Sequence, residues 1–385
     1  MCIVFFGRNK LGIFITFNRD EFITRETLKL NKIDKSFSEL KNYSENIIYS
    51  KDVPSEGTFF AINSKTYDFC FLLNNNFKKK LFNPNNPQKR GEICLNICSI
   101  SYTINDEKEY IKSIKDFVIN KLHPNDNNYN GYNILFGNLI FEKIYYYTNN
   151  NEFYSDNKYI LNYFNETEIA DYNATKYNIY SNKNIKVPYE FDLLNNKIVY
   201  CVSNYSLFEV NEYDKSIYGI QRITDCISKL DQDIMIKDNK VNNSTYNIYL
   251  DKFSNYVLSI MSDNTKIGID DNKFKLEIEK IKAEDNEIIS INDYHTSMLK
   301  PYIKSSIYVD NYYDNVYFEY GTRQNYFIQT INENIDTNYT NKSKFKVIIK
   351  ECFGNKEQVS KTSNKIIYKI DYNNYSKAFT NEIII

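Results

Sequence analysis

The first 22 residues constrain the fold of this chain more than any other segment. Residues 3–6 and 12–17 are two apolar runs, and the polar sequence Gly7-Arg8-Asn9-Lys10 separates them. Short apolar runs on either side of such a turn predict an antiparallel β-hairpin. Its second strand would return the charged sequence Asn18-Arg19-Asp20-Glu21 to the level of Cys2.

Periodic apolar patterns predict further strands and helices along the chain. A second hairpin is predicted at residues 57–63 and 67–74 around Ser64-Lys65. A helix is predicted at 106–122, with one apolar face and a cap at Asn105 or Asp106. Two more helices are predicted at 217–230 and 246–261. The remaining predicted strands are 132–141, 143–148, 197–203, 316–319, 324–331, 345–351 and 366–370.

The order of these elements indicates the fold class. Strands occur from end to end, whereas the helices lie in the middle of the chain. The Asn-rich stretches near 149–184, 237–247 and 332–344 are interpreted as expanded loops. We therefore predict one α+β domain over residues 1–385, with insertions.

Charge and cysteine usage exclude several classes of protein. The net charge is −1, with 48 basic and 49 acidic residues intermixed, which gives no electrostatic reason to expect a nucleic-acid partner. No long apolar stretch predicts a membrane span or a secretory signal. Seven scattered cysteines are typical of a reducing compartment, and we interpret Cys94 and Cys98 as small buried hydrophobes. We expect a soluble, cytoplasmic protein without a metal site.

Seven short motifs follow one another along the chain. They are Met1-Cys2-Ile3, Asn18-Arg19-Asp20-Glu21, Gly57-Thr58-Phe59-Phe60, Arg90-Gly91-Glu92, Tyr129-Asn130-Gly131-Tyr132-Asn133, Tyr200-Cys201-Val202-Ser203-Asn204 and Tyr320-Gly321-Thr322-Arg323. With these motifs in this order, the chain resembles the transport and Golgi organisation protein 2 family, also called the NRDE family. It departs from the family pattern at Phe59, where a Trp is usual, and at Cys201, where a Gly is usual.

The family is similar to the N-terminal-nucleophile hydrolases, so the resemblance implies their four-layer αββα fold and a catalytic residue at the start of the first strand. Removal of Met1 would give Cys2 a free α-amine. That amine titrates near ~7.7 in model peptides, so it can accept the thiol proton at neutral pH. The candidate nucleophile is therefore Cys2.

The resemblance and the hairpin together suggest roles for other residues. Asp20 would hold the ammonium group, and Arg19 would favour the thiolate if it faces the site. The amides of Asn133 and Asn204 would donate to a developing oxyanion. As ligand-binding residues we predict Arg90 and Arg323, because a guanidinium binds carboxylate or phosphate with two parallel hydrogen bonds.

Structural interpretations of the same residues stay open. Cys2 could be only the buried start of a strand. Asn18 and Asp20 could cap the hairpin end, and Arg19 and Asp20 could form an ion pair. The related acylases carry Arg-Asn-x-Asp here, whereas Phe17 precedes Asn18 in this chain. The side chain of Arg19 should therefore point away from those of Asn18 and Asp20.

Two functions are consistent with the sequence. The first is a non-catalytic carrier or chaperone, for which the resemblance implies roles in Golgi organisation, protein secretion and the mobilisation of haem or acyl-CoA lipids. The second is an N-terminal-cysteine hydrolase or acyltransferase acting on an amide or thioester. The sequence favours the carrier, because the family signature is intact and the acylase arginine pattern is not. The resemblance also implies association with the Golgi or mitochondria, and haem as cargo rather than as a fixed cofactor.

Overall fold

The structure is a computed structural model of the 385-residue chain. In some of its strands and helix ends it describes the backbone alone. It describes residues 2–22, 25–37, 40–75, 87–104, 106–149, 189–191, 193, 198–204, 214–233, 243–263, 312–313, 319–332, 345–353, 356–362, 365–370 and 381–384.

The chain forms two compact units. The first comprises residues 1–24, 196–201 and 210–384, and the second comprises residues 25–195 and 202–209. Each unit contains one large sheet and a pair of helices. The α+β class is therefore confirmed, and the single domain over 1–385 stays a prediction.

The large sheet, which belongs to the first unit except for residues 202 and 203, has the strand order β10-β1-β2-β12-β13-β16, with β11 paired to β12. β14 and β15 form a separate two-stranded sheet. The strands are β1 (Ile3–Asn9), β2 (Gly12–Phe22), β10 (Val199–Ser203), β11 (Tyr312–Tyr313), β12 (Glu319–Asn332), β13 (Phe345–Phe353), β14 (Lys356–Thr362), β15 (Lys365–Ile370) and β16 (Asn381–Ile384).

The predicted N-terminal hairpin is confirmed. β1 and β2 pair antiparallel from Ile3 opposite Asn18 to Asn9 opposite Gly12. Asn9 closes the turn, since its Oδ1 accepts hydrogen bonds from the backbone N–H groups of Leu11 (2.9 Å) and Gly12 (3.3 Å). Gly12 has φ +143°, and a Cβ there would lie 2.8 Å from the carbonyl oxygen of Thr330. This position therefore requires glycine.

Two helices pack on one face of the first sheet: α3 (Asp214–Asp233) and α4 (Asn243–Met261). Phe253 of α4 contacts Phe14 and Phe327 edge-on, with ring centroids 5.1 and 5.9 Å apart. Both helices were predicted, but each begins three residues earlier than expected. The loop predicted at 237–247 is consequently wrong for residues 243–247, which lie in α4. The rest of the three predicted Asn-rich loops lies outside the described residues, apart from residues 149 and 332.

The sheet of the second unit has its seven strands in sequential order. The hairpin predicted around Ser64-Lys65 is confirmed as β5 and β6. The strands are β3 (Asn31–Lys32), β4 (Ile47–Asp52), β5 (Gly57–Asn63), β6 (Asp68–Asn74), β7 (Tyr132–Asn138), β8 (Lys143–Thr148) and β9 (Tyr189–Glu190).

The helical layer of the second unit contains α1 (Gly91–Ile97) and α2 (Glu107–Phe117). α2 continues into a π-helical turn (Val118–Leu122), so the helix predicted at 106–122 is confirmed with a change of winding in its last turn. Asp106 caps it as predicted, because its carboxylate accepts a hydrogen bond from the backbone N–H of Glu109 at 3.0 Å. Cys94 and Cys98 are buried in this core, and every cysteine whose side chain is described is a free thiol.

A buried carboxylate, Asp68, lies at the start of β6. It accepts hydrogen bonds from Thr66 Oγ1 (2.7 Å), Tyr102 Oη (3.0 Å) and Asn138 Nδ2 (2.8 Å). Burial nevertheless raises the pKa of Asp68 to about 7, because it disfavours the charged form more than the three donors favour it. The proton of this group is therefore held more tightly in the folded protein.

Candidate functional site

Cys2 lies immediately before β1, and its thiol is buried, with 7% of the residue exposed. The Sγ atom is 3.9 Å from the carbonyl oxygen of Asp20. Because Asn18 pairs with Ile3, continuing the register by one residue sets Arg19 opposite Cys2. The hairpin therefore returns the charged sequence to the level of the thiol, as predicted.

The two faces of the first sheet carry different members of this cluster. Ile3 belongs to the core formed with α3 and α4, so Cys2, the preceding residue, lies on the opposite face. Asn18 lies on the helix face, where its Nδ2 donates to the carbonyl oxygen of Met261 at 2.8 Å. Asp20 follows on that same face, and Arg19 lies on the face of Cys2. The predicted separation of Arg19 from its two neighbours is thus observed.

The environment of Cys2 favours the neutral thiol over the thiolate. Burial raises the pKa of the Cys2 thiol, and the carboxylate of Asp20 raises it further, while the guanidinium of Arg19 lowers it. Burial is the largest of these effects. The thiol is therefore protonated at neutral pH, and any nucleophilic role would need a base to take its proton during attack.

Arg19 is a buried cation, with 4% of the residue exposed. Its Nη2 lies 3.7 Å from Oε2 of Glu21, two residues further along the same face. The structure therefore shows an ion pair between Arg19 and Glu21, and the Arg19–Asp20 pair considered from the sequence stays a prediction. The guanidinium of Arg19 therefore lies on the same face of the sheet as Cys2.

Lys215, near the start of α3, is a member of the site that sequence reasoning missed. It is fully buried. Burial lowers the pKa of Lys215, and the nearby negative charge of Asp20 opposes that effect. Lysine is almost never fully buried unless it is paired, so we infer that Lys215 supplies the counter-charge to Asp20. The helical period gave one signal: Lys215 lies about three turns before Cys226, on the apolar face of the helix.

In the second unit, Asn133 is held by three hydrogen bonds. Its Nδ2 donates to the carbonyl oxygen of Ser203 at 2.9 Å. Its Oδ1 accepts from Asn75 Nδ2 and Tyr146 Oη, both at 3.0 Å. Asn204, next to Ser203, is also buried. The structure thus brings the two predicted oxyanion donors together in the second unit, and their catalytic role stays a prediction.

The two candidate ligand-binding arginines lie in different settings. Arg90, just before α1, donates from Nη1 to the carbonyl oxygen of Gly131 at 2.7 Å, so this donor is committed to the protein. Arg323 was predicted at the entrance of a strand, but β12 already begins at Glu319. Arg323 occupies the register shift between Thr322, opposite Asp20, and Gln324, opposite Arg19. The structure describes its backbone only.

Comparison with known proteins identifies the family. The family model described as Transport and Golgi organisation 2 matches residues 1–344. This chain belongs to that family. The match spans every candidate residue from Cys2 to Arg323, so the resemblance predicted from the motifs is confirmed.

Other comparisons add little to this family assignment. No curated protein matches this chain. Among solved structures, it is similar to a Caenorhabditis elegans orthologue of N-acylethanolamine-hydrolysing acid amidase, with 10% identity, 65% of this chain and 85% of that chain covered, and a TM-score of 0.34. At that TM-score the likeness carries no argument about this chain.

Within the described ranges, no group of three His, Cys, Asp or Glu side chains could hold a metal ion, and no helix is long and apolar enough to cross a membrane. Nδ1 of His123 lies 3.2 Å from both Asp126 Oδ2 and Tyr147 Oη. His295, the other histidine, lies outside the described residues.

Proposed function

We propose that this Transport and Golgi organisation 2 family protein is a ligand carrier that acts in Golgi organisation and protein secretion. Its ligand would be an anionic lipid-type molecule, an acyl-CoA thioester or haem, held at the Cys2 end of the first sheet. The observation that carries this proposal is the buried Arg19 cation on the same face as a buried, protonated thiol. That combination suits binding of an anion better than rapid nucleophilic attack.

The chemistry of Arg19 supports an oxyanion ligand. Its guanidinium lies 3.7 Å from the carboxylate of Glu21, and a guanidinium fork is the group best suited to bind a carboxylate or phosphate with two parallel hydrogen bonds. Both the propionates of haem and the phosphates of coenzyme A present such oxygens. On the neighbouring strand, Arg323 immediately precedes Gln324, the residue that pairs with Arg19. The backbone of Arg323 therefore lies close to the level of Arg19 in the sheet.

Titration of haem and of octanoyl-CoA against wild type and Arg19→Gln tests the carrier proposal. We expect the variant to bind the cognate ligand at least ~10-fold more weakly, because charge-assisted hydrogen bonds contribute about 1.5–3 kcal/mol each. Arg222→Gln is the matched control, since it removes one positive charge from α3, where Arg222 contacts Tyr218 and Asp263. Failure of wild type to bind either ligand, or equal losses in both variants, would overturn the proposal.

A second candidate is an N-terminal-cysteine hydrolase or acyltransferase, and one specific observation favours it. Cys2 immediately precedes the first strand, and the hairpin brings Asp20 back to the level of Cys2. Lys215 is buried on the same face of the sheet as Asp20. After removal of Met1, the new α-amine would lie beside Asp20 and could take the thiol proton. The sulfur would then attack a carbonyl carbon, expelling an amine or thiol that recovers the proton, and water would later cleave the acyl-thioester.

This second candidate depends on the amino terminus. We expect the mature protein to begin at Cys2, because Met1 is removed when the next side chain is small. Intact-mass measurement of purified protein checks this. Stoichiometric retention of Met1 would eliminate the mechanism in which the amine is the base, whereas ligand binding could survive.

A further inference from the structure

Gln324 of β12 carries a buried side-chain amide whose hydrogen bonding is unusual. The residue is fully buried. Neither its Oε1 nor its Nε2 has a hydrogen-bond partner in the part of the chain that the structure describes. Buried side-chain amides in native proteins almost always have partners, so an exception of this kind needs an explanation.

The strand register places Gln324 in line with Cys2. Gln324 pairs with Arg19, and continuing the β1–β2 register sets Arg19 opposite Cys2. Phe17 and Tyr326, two residues away in each strand, stack on one another with ring centroids 6.0 Å apart, which shows that these positions share one face. Cys2, Arg19 and Gln324 therefore form a row across three adjacent strands, about 10 Å from end to end at ~4.8 Å per strand.

In the neighbouring row of the same face, side chains of the protein bond to one another and fill the space. Tyr326 pairs with Glu351, and its hydroxyl donates to Glu351 Oε1 at 3.1 Å. The polar groups of that row thus have partners, and the aromatic rings of Phe17 and Tyr326 fill the space between them. The row of Cys2, a residue that is 7% exposed, differs in that its Gln324 amide has no partner among the described residues.

Gln329, on the other face of the same strand, is a buried glutamine whose amide is hydrogen-bonded within the protein. It is also fully buried. Its Nε2 donates to the carbonyl oxygens of Ile13 (3.1 Å) and Thr330 (2.9 Å), and its Oε1 accepts from Asn9 Nδ2 at 2.9 Å. The contrast between two buried glutamines five positions apart separates a fold-stabilising amide from one that has no partner among the described residues.

We propose that Gln324 is a ligand-binding residue that recognises a secondary amide of the molecule held at Cys2. The primary amide presents one donor and one acceptor side by side, which matches the N–H and C=O groups of a secondary amide. The ligand class is then an acyl thioester with an amide-containing arm lying along the row. This inference rests on the proposed carrier function and narrows its ligand to such thioesters.

The test compares Gln324→Met with the matched control Gln329→Met. Methionine has nearly the same shape and no amide, so it removes an unbonded group at 324 and a fully bonded group at 329. Without ligand, we expect Gln324→Met to raise the melting temperature by about 2 °C or more and Gln329→Met to lower it. Gln324→Met should also bind octanoyl-pantetheine at least ~10-fold more weakly than wild type, while S-ethyl octanethioate, which lacks amides, should be unaffected.

Each other outcome overturns the inference. A lower melting temperature for Gln324→Met, as in the control, would mean that the amide stabilises the fold. A higher melting temperature with unchanged octanoyl-pantetheine affinity would mean that the amide meets no ligand. If wild type does not bind octanoyl-pantetheine, the amide-bearing ligand class is wrong, and the haem and octanoyl-CoA titrations then show independently whether the carrier function stands.

Discussion

The buried pair formed by Lys215 and Asp20 makes the most direct prediction about the stability of the site. Replacing Lys215 with Met leaves the buried carboxylate of Asp20 without its counter-charge. Breaking a buried ion pair by removing one partner costs about 3–5 kcal/mol of unfolding free energy, and Asp20→Asn should cost a similar amount. The double variant, which buries two neutral groups, should lose at least ~2 kcal/mol less than the sum of the single losses.

Urea unfolding followed by circular dichroism measures these free energies, since the chain contains no Trp to report by fluorescence. The matched control is Lys229→Met, an exposed lysine on the same helix, for which we expect a change within about ±0.5 kcal/mol. Additive losses, with the double variant within ~0.5 kcal/mol of the sum, would refute the pairing of Lys215 with Asp20.

Three further predictions concern the second unit. The pKa of Asp68 rises from 3.8 to about 7 on folding, so the native state binds its proton more tightly and stability falls as pH increases from about 4 to about 7. The loss is on the order of 4 kcal/mol at 1.36 kcal/mol per pKa unit, and the urea midpoint of Asp68→Asn should change less than that of wild type between pH 5 and 8. Asp106→Ala removes the cap of α2 and should cost about 1 kcal/mol in urea unfolding, whereas an unchanged midpoint would mean that the cap is dispensable. Gly91→Ala should lower the melting temperature, because the added Cβ would lie 2.6 Å from the Cα of Gly57; an unchanged value would show that this contact relaxes freely.

Much of the fold could be predicted because its elements carry strong local patterns. The hairpins, α2, α3 and α4 are long enough for an apolar period and a cap or turn to identify them. α1 was missed because its seven residues are too few to show a helical period. β4 was missed because only Ile47, Ile48 and Tyr49 form an apolar run in Ile47–Asp52, which is too short to show a strand period. Arg323 was misplaced because Gly321 was interpreted as a turn, whereas it pairs with Glu21 inside β12.

The candidate site was predictable only where sequence position fixes geometry. Cys2 and the returning cluster follow from hairpin register, and the opposite orientation of Arg19 follows from strand alternation. Gln324 could not be identified, because its role depends on tertiary burial rather than on a motif, and the helical spacing of Lys215 from Cys226 is too weak a signal to identify Lys215. Lysine at a helix start is typical of a solvated residue, and only the packing of α3 buries Lys215. The position of Gln324 opposite Arg19 depends on the register shift between Thr322 and Gln324.

The most direct test of the carrier function is mass spectrometry of the purified protein with octanoyl-CoA. Native spectra report noncovalent complexes, and denatured spectra report acyl groups attached to Cys2. We predict a protein that begins at Cys2, a one-to-one complex that disappears on denaturation, and no release of free coenzyme A beyond the uncatalysed rate. An octanoyl adduct mapped to Cys2, with coenzyme A released in step with its formation, would contradict the carrier function and establish covalent catalysis instead.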